Sequence, residues 1–79
     1  MTAFVELDAR RLLCPMPVIR LQDCLAKLGS GAKVRITCTD PGTMSDVPTW
    51  CRINGQLLLE SGQQEHEYIF LVQKIIDGH

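Results

Sequence analysis

The residues best suited to chemistry in this chain are Cys14-Pro15-Met16-Pro17, a cysteine directly ahead of two prolines that bracket one residue. The apolar-periodic stretch Val18–Leu28 follows at once. Proline fits the first turn of a helix, because its missing N–H has no intrahelical partner there. The residue before a proline is pushed toward extended geometry, as an N-cap requires. The pattern therefore predicts Cys14 as N-cap, Pro15 as the first helical residue and Pro17 as the third. A thiol at the positive end of a helix is expected to lose its proton more readily than free cysteine. The two prolines also subtract two N–H donors from that turn, which limits the shift. The sequence expectation is a sulfur atom that is solvent-reachable and largely ionised at neutral pH.

The other three cysteines, Cys24, Cys38 and Cys51, fall on apolar faces and read as small buried hydrophobes. No C-x-x-C pair occurs, which argues against a zinc knuckle or a thioredoxin-type redox pair. A cysteine hydrolase needs a general base at the sulfur. The two histidines, His66 in a hairpin loop and His79 at the last position, have no neighbouring motif to orient them. What remains is a nucleophile that needs no base because it attacks an already activated sulfur. Thiol–disulfide and persulfide exchange depend on thiolate fraction, nucleophilicity and access. Arg10 and Arg11 precede Cys14, and Arg20 lies on the outer face of the first helix. Arginines near the sulfur would favour an anion there and could dock an acidic partner.

These groups must be positioned by short elements. Phe4–Asp8 reads as a strand, with Val5 and Leu7 on one face. A helix is expected from Pro15 to Leu28, with Val18, Leu21, Cys24, Leu25 and Leu28 on one stripe and Arg20, Asp23 and Lys27 opposite. Gly29 suits the left-handed position that closes it. Lys33–Thr39 alternates as a strand with Val34, Ile36 and Cys38 inward. Asp40-Pro41-Gly42 is a turn. A second helix starts between Thr43 and Ser45, with Asp46 in its first turn and Val47, Trp50, Cys51 and Met44 as its apolar stripe. Pro48 favours the later start, and Gly55 closes the helix. Gln56–Ser61 and Glu67–Ile75 form a hairpin across the polar loop Gly62–Glu65. The order β-α-β-α-β-β predicts an α/β two-layer sandwich: a four-stranded mixed sheet with two helices on one face.

Seventy-nine residues suggest a single domain, 1–79. Such a chain buries only about 60% of its unfolded surface, so the core is thin and leaves little room for a closed cleft. A net charge of −1 gives no sign of strong nucleic-acid binding. No apolar run approaches the ~18 residues of a membrane span, and no basic-then-apolar leader opens the chain. The expectation is a monomeric cytoplasmic protein whose cysteines stay reduced.

The motifs resemble those of the TusA/SirA-like sulfur carrier family. The matching residues are Leu7-Asp8-Ala9, Leu12-x-Cys14-Pro15-x-Pro17, Thr39-Asp40-Pro41-Gly42-Thr43, Asp46-Val47-Pro48, Trp50-Cys51, Gly55-x-x-Leu58 and Tyr68-x-Phe70-x-Val72-x-Lys74. The resemblance implies a sulfurtransferase that carries sulfane sulfur as a persulfide on Cys14, with no metal or organic cofactor. It implies a cysteine desulfurase or rhodanese-type donor and a downstream sulfur-accepting protein, as in tRNA 2-thiouridine synthesis or another sulfur-trafficking pathway. Pro15 and Pro17 would stiffen the helix start, and Asp40 would lie near it. Arg10, Arg11, Ile19 and Arg20 are candidate partner contacts. Family members commonly carry Gly where this chain has Arg11, and many carry Lys or Arg at the place of Ser45. A non-catalytic regulatory module is the alternative, with Cys14 merely capping a helix. A third reading is a redox protein bridging Cys14 to Cys51 or another cysteine.

Overall fold

The alternation Val34-Arg35-Ile36-Thr37-Cys38 puts three apolar side chains on one face of a strand, and all three are fully buried. In the computed structural model, which describes residues 4–75, this strand lies inside a four-stranded sheet. The elements in chain order are β1 (Phe4–Ala9), α1 (Met16–Ala26), β2 (Lys33–Cys38), α2 (Thr43–Asn54), β3 (Leu57–Gln64) and β4 (Glu67–Gln73). The strand order is β1-β2-β4-β3. β1 and β2 run parallel with α1 as their crossover, while β4 pairs antiparallel with both β2 and β3. The mixed sheet and the β-α-β-α-β-β order are those expected from the sequence.

Both helices serve one core. Leu21 and Leu25 of α1 and Val47 and Cys51 of α2 meet Ile36, Phe70 and Val72 from the sheet. Ile36 and Phe70 sit opposite each other in the β2–β4 register, so bulk is concentrated where the central strands pair. Each such side chain contributes roughly 1.5–3 kcal/mol by leaving water. Met44 does not join the α2 stripe; it is exposed, and Thr43 takes the buried place. Val5 is likewise half out of the core, because β1 is an edge strand whose burial begins only at Leu7 and Ala9.

Four local expectations are corrected. α1 closes through Lys27 in the ordinary right-handed region, not through a left-handed Gly29; the positive φ falls at Gly31 (φ 88). The Lys27 and Leu28 N–H groups serve the exit carbonyls of Cys24 and Leu25, and the buried Lys74 ammonium adds bonds to Leu25 O at 2.8 Å and, just past the helix, Leu28 O at 2.7 Å. α2 starts early, at Thr43, so Pro48 lies in its interior rather than its first turn. The carbonyl of Met44, which Pro48 cannot serve, belongs to an exposed residue and can turn to water. β3 continues through the polar residues 61–64, because an exposed edge strand needs no apolar side chains to pair. The hairpin therefore turns tightly at Glu65-His66, with Glu65 left-handed (φ 57). His79 lies outside the described residues. No helix among the described residues is long and apolar enough to cross a membrane.

Candidate functional site

Cys14 is exposed in the loop between β1 and α1, and all four cysteines are free thiols. Burial pushes the thiols of Cys38 and Cys51 up to about 11, and desolvation raises that of Cys24 as well. Cys14 is the one exposed cysteine among them.

The loop does not hold Cys14 as a helix cap. Pro15 is the N-cap of α1 (φ −97, ψ 16), Met16 opens the helix and Pro17 is its second residue. Cys14 stands one place earlier, joined to Pro15 by a cis peptide bond. No side chain caps α1. The mouth of α1 also has few donors to offer: Pro15 and Pro17 have no N–H, and the Met16 N–H is already bonded to Leu13 O at 2.8 Å.

The groups that do reach Cys14 come from the start of α2. Its backbone N–H donates to Asp40 Oδ2 at 2.7 Å. Its thiol donates to Asp46 Oδ2, from the first turn of α2 and 32 residues away in sequence. The Asp46 hydrogen bond, then desolvation, then the charges of Asp46 and Asp40 raise the Cys14 thiol above the ordinary cysteine range. The shift thus runs opposite to the one expected from a helix start. The physical reason is that two carboxylates face the sulfur while the helix mouth supplies little positive potential.

Asp40 organises both sides of this corner. Besides Cys14, it accepts the Gly42 N–H at 3.1 Å on Oδ1, and its carbonyl accepts the Thr43 N–H and hydroxyl at 3.0 and 2.7 Å. The Cys14 and Gly42 N–H donors hold the Asp40 carboxyl below the usual carboxylate value.

Beside the sulfur runs an open groove of about 550 Å³, lined by Cys14, Pro15, Val18, Ser45, Asp46, Thr49, Trp50, Ile53 and Asn54. Ile53 in this groove is about three-quarters exposed (73%), as is Leu13 (74%), which precedes Cys14 in sequence; Met16 and Ile19 of α1 are also exposed. Ile19 and Arg20 thus stand on the open side of α1 as expected. Leu13, Met16, Trp50, Ile53 and Asp46 were not singled out as site residues by sequence reasoning. The signal for Leu13 and Met16 was adjacency to Cys14; the α2 residues come near only through tertiary packing.

Arg10 and Arg11 are not part of this groove. They line a separate polar cavity of about 440 Å³ with Asp8, Thr39 and Glu67. The Arg10 guanidinium is committed to Asp8 at 2.9 Å and Glu67 at 3.6 Å, and holds the Asp8 carboxyl down to about 2. The arginine assistance expected for the sulfur is therefore absent; the charges acting on Cys14 are both negative. Arg11 is left-handed (φ 69), with its N–H given to Thr39 Oγ1 at 2.8 Å. The chain keeps at this point a backbone conformation that glycine adopts without steric cost. Among the described residues no group of three or more histidine, cysteine or acidic side chains could hold a metal ion.

This architecture is that of the SirA-like α+β proteins. The crystal structure of the SirA-like protein from Desulfitobacterium hafniense matches it with a TM-score of 0.80, covering 92% of this chain and all of that one at 21% identity. The family model described as sulfurtransferase TusA matches residues 5–74, and the chain belongs to that family. Among its relatives, the sulfur carrier protein TusA of Allochromatium vinosum is 35% identical over 87% of this chain and 91% of its own. The proteins of that name from Pseudomonas putida strain W619 and Pseudomonas syringae pv. syringae strain B728a are 34% and 32% identical. Those matches cover 90% and 98% of this chain and 89% and 92% of theirs.

Proposed function

We propose that the protein is a sulfur carrier that receives sulfane sulfur on Cys14 and passes it to a second protein, with residues 1–79 acting as one carrier domain. Membership of a family whose relatives are sulfur carrier proteins supports the role. The observation that supports Cys14 as the site is that it combines exposure with a place on an open groove, while Cys38 and Cys51 are sealed in the core. The exposed Ile53 in that groove, with Val18 and Trp50 beside it and the exposed Leu13 and Met16 flanking Cys14-Pro15 in sequence, suits a protein surface better than bulk water.

In the loading step the Cys14 sulfur, having lost its proton, attacks the outer sulfur of a donor persulfide. A new S–S bond forms on Cys14 as the donor's S–S bond breaks. The bonding pair stays on the donor sulfur, which takes up a proton. One persulfide and one thiol enter and one of each leaves, so no oxidant or reductant is consumed. A cysteine desulfurase or a rhodanese-type protein fits the donor, and a protein thiol fits the acceptor.

Incubating the protein with cysteine, a cysteine desulfurase and pyridoxal phosphate (the desulfurase's cofactor), then weighing it intact, tests the reading. The expected result is a mass gain of one sulfur atom that Cys14→Ser abolishes. No gain with desulfurase and rhodanese donors alike would favour a non-catalytic interaction module.

A further inference from the structure

We propose that Asp46 is a positioning residue that keeps Cys14 protonated in the free protein, and that a cationic side chain brought to its carboxylate by a docking protein releases the sulfur. This rests on the reading of Cys14 as the carrier site. Two acidic groups converge on Cys14, Asp46 on the thiol and Asp40 on the backbone N–H. They are also the charged groups that bear on the sulfur from α2 and the loop before it. Neither has a counter-ion: the salt bridges among the described residues join Arg10 to Asp8 and Glu67, and Arg35 to Glu6. The groove around Asp46 is otherwise neutral, with Val18, Ser45, Thr49 and Trp50 on its walls.

A thiolate formed here would face a carboxylate at hydrogen-bonding range, and like charges so placed disfavour ionisation. The proton therefore stays on sulfur while Asp46 is bare. An arginine or lysine set against Asp46 reverses that balance, converting the repulsion into a screened pair. The proton then leaves to solvent, the sulfur's electron pair attacks the donor's outer sulfur, and the departing donor sulfur takes up a proton. The resting carrier is in this way shielded from stray electrophiles, while a partner with a basic contact residue meets a competent nucleophile.

The test measures alkylation of Cys14 by iodoacetamide against pH, read by mass on the peptide that contains it, in the full chain. Asp46→Asn removes the charge and offers an N–H donor. It should alkylate about tenfold faster near neutral pH, with the profile moved to lower pH, one pKa unit being a tenfold change in thiolate. Asp46→Glu keeps the charge and should stay near the parent profile. Ser45→Lys is an independent substitution at an exposed position of the same groove. It should accelerate the parent severalfold yet add little on top of Asp46→Asn. An Asp46→Asn profile that overlays the parent, or a lysine at position 45 that accelerates both backgrounds equally, overturns the proposal. Sulfur loading read in parallel separates the two ideas. A shifted profile with no sulfur uptake counts against the carrier reading alone, whereas uptake with an unshifted profile counts against the Asp46 gate alone.

Discussion

The mouths of the two helices meet at Cys14 but are built in opposite ways. α1 begins with Pro15-Met16-Pro17, so two of its first N–H donors do not exist and a third is spent on Leu13. α2 begins in the Asp40-Pro41-Gly42 turn, where the N–H groups of Thr43, Met44, Ser45 and Asp46 are all bonded to carbonyls at 3.0–3.1 Å. One mouth is stiff and electrostatically poor; the other is fully bonded and, with the turn before it, brings two carboxylates to Cys14, Asp46 on its thiol and Asp40 on its backbone N–H. The difference teaches that proximity to a helix start does not by itself set a thiol's charge. Here the neighbouring helix's acid pushes the thiol the other way.

Beyond the Asp46 substitutions, the sharpest way to break this comparison is Asp40→Ala. It removes the acceptor of both Cys14 N–H and Gly42 N–H, and so cuts one of the two ties between the mouths, the Asp46 contact being the other. The melting midpoint should fall by several degrees, while Asp40→Asn, which keeps one acceptor oxygen, should fall less. The same residue gives a pH dependence. Its folded-state value lies below the ordinary carboxylate value of 3.8, so its contribution is complete above that value and is lost as pH falls through the lower folded one. Acid unfolding followed by circular dichroism should show a limb below pH 4 that Asp40→Asn flattens.

A smaller effect is expected from Pro17→Ala, which restores an N–H to the mouth of α1 and opens space at a buried position. A loss of about 1 kcal/mol in urea unfolding is expected, from lost packing and a freer unfolded chain. Alkylation of Cys14 should change less than twofold; a tenfold rise would mean that α1 donors, rather than α2 acids, govern the sulfur. The smallest effect belongs to Arg11→Gly. A side-chain-bearing residue at φ 69 is strained, and glycine there exchanges that strain for chain entropy. A gain of about 0.5–1 kcal/mol should follow, with Cys14 reactivity unaltered.

Elements whose signals are local were legible in the sequence. The inward set of β2, the α1 stripe and the left-handed Gly55 closing α2 stand where periodicity and turn residues put them. The features that escaped depend on partners distant in sequence. Gly29 looked like the end of α1 because no rule links a helix exit to Lys74, nearly fifty residues on. The polar run 61–64 looked like a loop because the exposed edge of a sheet asks only for backbone pairing. Asp46 looked like an ordinary first-turn acid, since its contact with Cys14 spans 32 residues and exists only once α2 packs beside α1. Arginine does not itself announce the positive φ at position 11; the signal was the glycine common at this place in the family the motifs resemble.

Lys74 carries one more consequence. Its side chain is buried and its tip plugs the carbonyl end of α1, although it follows the last strand. A shortened version ending at Gln73 would retain every strand and both helices on paper. It would nonetheless leave the Leu25 and Leu28 oxygens without that donor, so the working boundary of the folding unit lies past the sheet, at a residue whose job is to cork a helix.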